Sequence, residues 1–489
     1  MQKVRSVLKC WNWKFFQEVG HPENLAVVRI VIFYLVWKQT VFLEKTLTMA
    51  SLPAEMRIAP TGYSLFFDVI PFSESAITFA HSGLSIFATC AIIGLWTRYT
   101  APIAVMFALY FMGIMQMFGK IDHNHHIIWF SAVVSVSRCA DALSVDALIA
   151  AWKRGGRGVT SPPKAHRVYG VPVRLLWVLF GVLYFFPGFW KLWAGKAWFD
   201  AQYASHKLHI MWYNNFDVLP AFRIDYHPWL LWTANVATVF AEMGMILAVF
   251  VYGIRTIWAF GMYVMHKGFG YFLKIKFKSA VLMLFAVFID WKGIALWLGK
   301  ILRCPWIHLK PKKSMTMRII AIVRTVDVLG IIEVQDDLPE ENTHRLRAVW
   351  MVGMTFIVLN IFCGFAIINS WPFAVYPRFH GVKKTAVIRQ LEAVRIYPNG
   401  TEETLDLDAV MMEYLGHRWI SKEIAMIGNK DLRERGFAGV ITTLHKEGVV
   451  EAGDTVRINM TLKDYHPDLD EDQRVKDRWP IAEIPVRSL

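Results

Sequence analysis

The chain has 489 residues, of which 55% are apolar and 15% aromatic, and its mean hydropathy is +0.35. That apolar content exceeds the usage of ordinary globular domains and predicts a polytopic membrane protein. The formal net charge of +14 would suit a nucleic-acid partner. However, the basic residues are divided among loops and do not form one face, so no nucleic acid is expected.

Nine apolar runs approach the ~20 residues that a helix needs to cross the hydrocarbon of a bilayer. The runs are 25–43, 76–96, 100–117, 125–138, 173–194, 229–252, 255–273, 279–298 and 348–370. The fold class predicted is therefore mainly α, a polytopic transmembrane helical bundle of about nine spans.

The basic residues around these runs lie in alternate loops, except for Lys274, Lys276 and Lys278 in the turn between the seventh and eighth runs. They precede the first run and recur between the second and third, the fourth and fifth, and the sixth and seventh runs, and again after the eighth. Because cytoplasmic loops are enriched in Lys and Arg, this pattern predicts a cytoplasmic N-terminus and an extracytoplasmic C-terminus.

Composition divides the chain into several regions. They are a basic, amphipathic cytoplasmic N-terminus (1–24), the main transmembrane domain (25–300), a cytoplasmic segment (301–347), the last transmembrane helix (348–370) and an extracytoplasmic β-rich domain (377–489). The β-rich prediction rests on alternating runs at 386–396 and 456–462 and on the turn sequence Pro398-Asn399-Gly400. Within the cytoplasmic segment, 318–334 is expected to form a strand–helix–strand unit.

The fourth run opens with Asn124, His125 and His126, which follow Asp122 and His123. Counted at ~1.5 Å per residue, His125 lies roughly 20 Å from the cytoplasmic end of this run. The hydrocarbon core is about 30 Å thick, so the histidines are expected at the depth of the outer leaflet. No Cys or carboxylate cluster stands at ligand spacing, so no metal is predicted, and hydrogen-bonded interfacial histidines are the alternative to a functional site.

The stretch 181–200, GVLYFFPGFWKLWAGKAWFD, carries Lys191 near the outer end of the fifth run. Pro187 cannot donate a backbone hydrogen bond, so the helix is expected to kink or open one turn before the lysine. An ionisable group within a span marks a candidate functional site. The alternative is that Lys191 extends its ammonium group to the interface.

Glu242 and His266 lie at similar depth on the sixth and seventh runs, which form a hairpin. A carboxylate inside a membrane is costly unless it is paired or protonated, which makes Glu242 a second candidate. Two interpretations stay open. Glu242 either contributes to a catalytic site or forms a purely structural pair with His266 or Lys38.

These motifs resemble the vitamin K-dependent gamma-carboxylases, a family that includes the bacterial horizontally transferred transmembrane (HTTM) domain proteins. The resemblance extends over roughly residues 20–300 and more loosely over 348–380. The similar motifs are Asn124-His125, the segment 144–147 (SVDA), Tyr184 to Leu192 (YFFPGFWKL), Glu242 before Arg255, His266, Trp371-Pro372-Phe373 and Tyr376-Pro377.

The resemblance implies an integral enzyme of a bacterial inner membrane that uses a reduced quinone, similar to vitamin K hydroquinone, with oxygen and carbon dioxide as co-substrates. The lysine matching Lys191 deprotonates the quinone in that family, and the histidine matching His125 assists carbanion carboxylation. Asn124, His126, Glu242 and His266 would support the site. The partners implied are membrane lipids and a peptide or small-molecule acceptor on the extracytoplasmic side.

Two features depart from the carboxylase pattern. Trp190 replaces the polar residue that precedes the lysine, and the outer domain of about a hundred residues is short for a peptide-binding region. A non-enzymatic transporter, or a scaffold that binds lipid or a partner protein, is therefore the alternative function. A water path to both faces would favour transport, and the absence of internal repeats weighs against it.

Overall fold

The computed structural model describes residues 15–63, 72–118, 124–154, 165–213, 218–251, 253–301, 307–308, 332–333, 343–368, 370–373, 385, 387–405, 407, 421 and 424–487. The predictions for residues 1–14, for Asp122 and His123, and for most of 318–334 lie outside these residues. From 301–347 the structure describes the pairing of two short parallel strands, β1 (Ile307–His308) and β2 (Ile332–Glu333).

The described residues are mainly helical. In chain order the helices are α1 (Pro22–Trp37), α2 (Leu43–Ala50), α3 (Glu74–Ile93), α4 (Thr97–Ile114), α5 (His125–Ser135), α6 (Val145–Arg154), α7 (Arg167–Trp193), α8 (Lys196–Phe199), α9 (Ala201–Tyr213), α10 (Pro228–Ala248), α11 (Ile254–Phe272), α12 (Lys278–Phe288), α13 (Trp291–Ile301), α14 (Thr343–Ala366), α15 (Lys430–Lys446) and α16 (Glu471–Arg474).

Six helical segments in the described part are long and apolar enough to cross a membrane. They are Pro22–Ala50, Glu74–Ile93, Thr97–Met117, Arg167–Trp193, Pro228–Ala248 and His344–Ala366. These segments coincide with six of the nine apolar runs of the sequence. The described part of the chain is thus mainly helical and has six candidate membrane-spanning helices.

The other three predicted spans differ from simple crossings, so nine crossings stays a prediction. Helix α5 has 11 residues, about 16 Å at the α-helical rise and half the thickness of hydrocarbon. Helix α11, which carries Arg255, His266 and Lys267, is not among the candidate membrane-spanning helices. Helices α12 and α13 qualify only together, as one span bent by 65°.

Helix α7 is the centre of the bundle. In the apolar stretch of α7, 83% of the residues are buried, whereas the corresponding shares are 22% in α10 and 33% in α14. It packs against α5, α10, α12 and α14, and it continues through Pro187 to Trp193 without ending at the proline. A residue on α7 is therefore surrounded by protein over most of the length of the helix.

Two glycines let α10 approach α7 closely in the antiparallel sense. A Cβ atom at Gly181 would lie 3.0 Å from the Cα of Ile246, and one at Gly188 would lie 2.9 Å from the Cβ of Glu242. Small residues at such contacts allow two helix backbones to come together. The approach brings Glu242 opposite the last turns of α7.

One end of the bundle is defined by hydrogen bonds to backbone groups. Gly20, just before α1, pairs with His166, just before α7, so these two helices start at the same end. Arg29 of α1 donates to the carbonyl oxygens of Ile92 at 3.4 Å and Leu143 at 2.5 Å, which places the C-terminus of α3 at that end too.

Exposed aromatic side chains lie near both ends. Trp96 and Tyr99 are 67% and 64% exposed at the α3–α4 junction. Trp193, Trp229 and Trp232 are 74%, 67% and 53% exposed where α7 ends and α10 begins. Tryptophan and tyrosine favour the levels at which a bilayer meets water. Lys191, two residues before Trp193, therefore lies close to one of these two aromatic levels.

The C-terminal region forms a four-stranded antiparallel sheet in the order β4-β3-β5-β6. Its strands are β3 (Val387–Ile396), β4 (Glu402–Leu405), β5 (Thr455–Asp464) and β6 (Val475–Pro485). This confirms the strands predicted from the alternating runs. The predicted turn joins β3 to β4, with Gly400 at φ +83° and the side-chain oxygen of Asn399 accepting a hydrogen bond from the Thr401 amide.

Candidate functional site

Lys191 and Glu242 form a buried ion pair between α7 and α10. The lysine Nζ donates to both carboxylate oxygens, at 2.6 and 2.7 Å, and each residue is only 4% exposed. Charges removed from water in this way need an opposite charge at close range. The structure therefore places Lys191 in an internal pair and does not direct its ammonium group to the interface.

The aromatic ring of Trp198, on α8, lies over the lysine side of this pair. Its centroid is 5.2 Å from Lys191 Nζ, within the range of a cation–π interaction. The Trp198 carbonyl oxygen accepts a hydrogen bond of 3.0 Å from the Asn235 side chain of α10. Helix α8 thus bridges from the end of α7 back to α10 beside the ion pair.

His266 of α11 has a different partner from the one predicted. Its Nε2 shares a hydrogen bond of 2.6 Å with the hydroxyl group of Tyr184, and its ring lies 4.8 Å from that of Phe277. The pair of Glu242 with His266, one of the alternatives left open by the sequence, is not formed, because the carboxylate is held by Lys191. Lys38, the other partner considered, is exposed.

The two pairs nevertheless belong to one neighbourhood. Tyr184 lies seven residues before Lys191 on α7, so the two side chains share a face of the helix about two turns apart. Tyr184 binds His266 at 2.6 Å, and Lys191 binds Glu242 at 2.6 and 2.7 Å. Lys191, Glu242, Tyr184 and His266 therefore form a four-residue polar cluster, which we name the ion-pair cluster.

His125 lies in a second buried group at the start of α5. It is fully buried, and its ring centroid is 4.8 Å from that of Trp371 and 6.3 Å from that of Trp129. The Trp129 indole also donates to the carbonyl oxygen of Pro372. The segment that follows α14 thus folds over His125.

The two flanking residues have separate contacts. His126 is 1% exposed and lies 5.9 Å, ring to ring, from Phe130. Asn124 accepts a hydrogen bond of 2.9 Å from the hydroxyl group of Ser279, at the start of α12. Asn124 also borders a crevice of about 10 Å³, roughly the space of one water molecule. The crevice is lined by Gln39, Phe42, Phe111, Met112, Met115, Gln116 and Asn124.

The two groups are adjacent but are not joined by a hydrogen bond from Lys191, whose hydrogen bonds in the described part go to Glu242 alone. Aromatic rings link them. Phe130 lies 4.7 Å from Phe180, which stacks 6.2 Å from Tyr184. The sequence-based prediction that Lys191 and His125 share a depth remains a prediction, and the structure adds that ordered side chains separate them.

Two members of the site were missed by sequence reasoning. Tyr184 was detectable, because helical periodicity puts a residue seven positions away on the same face as Lys191. Trp198 was not, because its position depends on the chain reversal at Gly195, which has φ +67°. Among the described residues, no group of three His, Cys, Asp or Glu side chains could hold a metal ion.

No protein-family model matches the chain, and no curated protein or solved structure is detectably similar to it. The fold and the two buried groups define a helical protein with apolar, membrane-compatible helices and an internal acid–base pair. The resemblance to gamma-carboxylases therefore stays a prediction from the sequence motifs.

Proposed function

We propose that the protein is an integral membrane enzyme whose reaction begins with proton transfer to the Lys191–Glu242 pair from a reduced quinone. The observation that carries the proposal is this pair, an amine and a carboxylate within 2.7 Å of each other inside an apolar bundle. Ionisable groups at such positions are rare and are usually functional. The motif resemblance independently assigns the base to Lys191.

The pair acts as one proton acceptor. The pair carries no net charge, and moving one proton from the ammonium to Glu242 gives a neutral amine beside a carboxylic acid. The amine of Lys191 then accepts the proton of the substrate, which leaves an ammonium and a carboxylic acid. The pair then carries a net positive charge, which would stabilise negative charge on a substrate bound beside it. Glu242 thus has a defined chemical role in addition to holding Lys191 in place.

The residues around the pair suit an aromatic, weakly acidic substrate. The Trp198 ring lies beside Nζ, with its centroid 5.2 Å away. Aromatic rings favour offset and edge-to-face contacts with other rings. Tyr184 and His266 add a hydroxyl group and an imidazole that can bind the oxygens of the quinone.

When bound, the reduced quinone would supply the redox chemistry that the resemblance implies. Overall, the hydroquinone and O₂ become an epoxide and water, while CO₂ replaces a proton on an acceptor. In this scheme His125 exchanges a proton with the substrate that is carboxylated, and Asn124 and His126 are its neighbours. We place the site toward the outer leaflet of a bacterial inner membrane, with the N-terminus cytoplasmic and the C-terminal sheet outside.

The test is turnover of a reduced naphthoquinone by the purified protein in lipid nanodiscs under oxygen. Lys191→Ala should abolish the formation of quinone epoxide, measured by liquid chromatography and mass spectrometry. Lys196→Ala is the matched control, because Lys196 is an exposed lysine five residues away. Full turnover by Lys191→Ala would contradict the assignment of the base.

A non-enzymatic scaffold is the second candidate, and the same ion pair favours it. Lys191 and Glu242 satisfy each other at short range, which is also what a structural clamp between α7 and α10 would show. Mass spectrometry of the lipids that copurify with the protein separates the two functions. A bound isoprenoid quinone supports the enzyme, and a specific phospholipid alone supports the scaffold.

A further inference from the structure

Helix α8 lies against the ion-pair cluster through the ring of Trp198, whose centroid is 5.2 Å from Lys191 Nζ. Helix α8 contacts α10 through the hydrogen bond from Asn235 to the Trp198 carbonyl oxygen. Asn235, Val239 and Glu242 follow one another on a single face of α10, because their spacings are four and three residues. Asn235, which contacts α8, therefore lies on the same face of α10 as Glu242.

The joint between α7 and α8 is a glycine in open space. Gly195 has φ +67° and ψ −146°, a conformation that side chains with a Cβ atom rarely adopt. A Cβ atom at this position would have no heavy atom within 4 Å. The glycine is therefore needed for its backbone conformation and not to make room for a neighbouring side chain. Small residues that accept unusual backbone conformations are often found at hinges.

Helix α9 packs in a small hydrophobic cluster that is separate from the main core of the bundle. This cluster consists of the buried residues Leu208, Trp212, Ile224 and Leu231. The cluster joins α9 to Leu231 of α10, and the Trp212 indole donates to the Phe272 carbonyl oxygen of α11 at 2.7 Å. Movement of α9 would break these contacts but would leave the main core closed.

The C-terminal sheet holds the far end of α9. The ring of Tyr213 stacks on that of Tyr465, with centroids 4.1 Å apart and planes 11° apart. Lys463 Nζ donates to the Tyr213 hydroxyl group at 3.0 Å, and both tyrosine hydroxyl groups donate to Gln390 at 3.3 Å. These contacts join α9 to strands β3 and β5.

A second set of contacts joins the same sheet region to the loop before α10. Arg223 binds Asp225 at 2.6 Å and Asp468 at 3.4 Å, and Tyr226 donates to Asp468 at 3.1 Å. His209 of α9 donates to Asp225 at 3.1 Å. We name these two sets of contacts together the latch.

We infer that residues 196–213 form a lid over the Lys191–Glu242 pair, hinged at Gly195 and held closed by the latch to the C-terminal domain. The contacts at both ends of the lid and the glycine at its joint carry the inference. It gives the C-terminal domain a function, which is to control access to the buried pair. The inference does not depend on which reaction occurs there.

The test measures access to Val239, which is 6% exposed and lies between Asn235 and Glu242 on the face of α10 that Asn235 shares with Trp198. The five cysteines of the chain are first replaced, and Val239→Cys is introduced as the only thiol. The full-length protein in detergent is then labelled with N-ethylmaleimide. Combining Val239→Cys with Arg223→Ala and Tyr465→Ala should raise the labelling rate about tenfold or more, because the lid opens more often.

Arg457→Ala is the matched control. Arg457 pairs with Glu402 and Glu483 in the same sheet, at 2.9 and 3.2 Å, and takes no part in the latch. Val239→Cys combined with Arg457→Ala should be labelled at the same rate as Val239→Cys alone. Thermal melting verifies that the latch variant and the Arg457→Ala control are both folded. An unchanged rate in the latch variant, or an equal increase in the control, overturns the inference. Because labelling requires no turnover, its failure is distinguishable from failure of the proposed reaction.

Discussion

Gly188 of α7 faces Glu242 of α10 so closely that a Cβ atom at the glycine would lie 2.9 Å from the Cβ of the glutamate and 3.0 Å from the backbone nitrogen of Met243. Backbone and Cβ atoms cannot move aside as the end of a flexible side chain can. The position of Glu242 opposite Lys191 therefore depends on the absence of a side chain at Gly188.

Gly188→Ala should separate α7 from α10 and destabilise the protein by about 1–3 kcal/mol, the usual cost of overpacking. Thermal unfolding in detergent would measure the change. Gly268→Ala is the matched control, because a Cβ atom at Gly268 meets nothing within 4 Å and alanine is the better helix former. Equal melting temperatures for the two variants would show that the close approach of α7 and α10 is not needed.

Removing one partner of the ion pair should be much more costly than removing both. Lys191→Met or Glu242→Leu alone leaves an uncompensated buried charge, at a cost of about 3–5 kcal/mol, whereas the double variant replaces the pair by apolar side chains and should be close to the parent. Unfolding of the four proteins gives the coupling free energy directly.

The exposed pair Lys430–Glu434 provides the control for this double-mutant cycle. Its charged atoms are 3.8 Å apart, and its side chains are 75% and 45% exposed. A solvent-exposed pair one turn apart on a helix contributes only about 0.3–0.5 kcal/mol. A coupling no larger for Lys191–Glu242 than for this pair would mean that the buried charges are solvated in the protein.

The sequence predicts well which charged residues are buried, because a charged residue inside a long apolar run is energetically costly and easily recognised. A lysine and a glutamate in apolar runs are recognisable without coordinates, and helical rise gives their approximate depth. The direction in which each side chain points is a different matter. Glu242 and His266 do lie on adjacent helices, but the closer and oppositely charged Lys191 takes the carboxylate.

The bend between α12 and α13 and the position of Trp198 could not be predicted from the sequence, for related reasons. The apolar run at 279–298 does not reveal the 65° bend between α12 and α13. The position of Trp198 depends on one backbone conformation, at Gly195, and on contacts of α9 with a sheet that lies more than 170 residues later in the chain. Such long-range contacts have no local pattern to predict them.

Acid should weaken the latch. Burial lowers the pKa of His209 below its ordinary value, although the hydrogen bond to Asp225 opposes the shift. The open lid therefore binds more protons than the closed lid between that lowered pKa and about 6.5, so closure is fully stable above pH ~6.5 and weakens as the pH falls. The charged groups facing His209 are Asp225, Arg223 and His466.

Asp225 contributes outside this window. Burial alone would raise its pKa, but hydrogen bonds from Arg223 and His209 bring the pKa below the ordinary value, so its contribution is lost only at strongly acidic pH. Labelling of Val239→Cys, normalised to a free thiol at each pH, should accelerate between pH 7.5 and 5.5. His209→Gln should flatten this dependence, and the exposed His344→Gln should not. A pH dependence that persists in His209→Gln would assign it to another group.

The hydroxyl group of Tyr184 should matter for turnover because it is the hydrogen-bond partner that orients His266. Tyr184→Phe keeps the stacking on Phe180 but removes the hydrogen bond to Nε2. An unsatisfied buried group costs about 1–3 kcal/mol, so quinone turnover should fall roughly tenfold or more. Tyr263→Phe, on the same helix as His266, is the control and should leave the rate unchanged. If Tyr184→Phe lowers the melting temperature yet retains the full rate per folded molecule, the hydroxyl group is structural and His266 is not part of the reacting site.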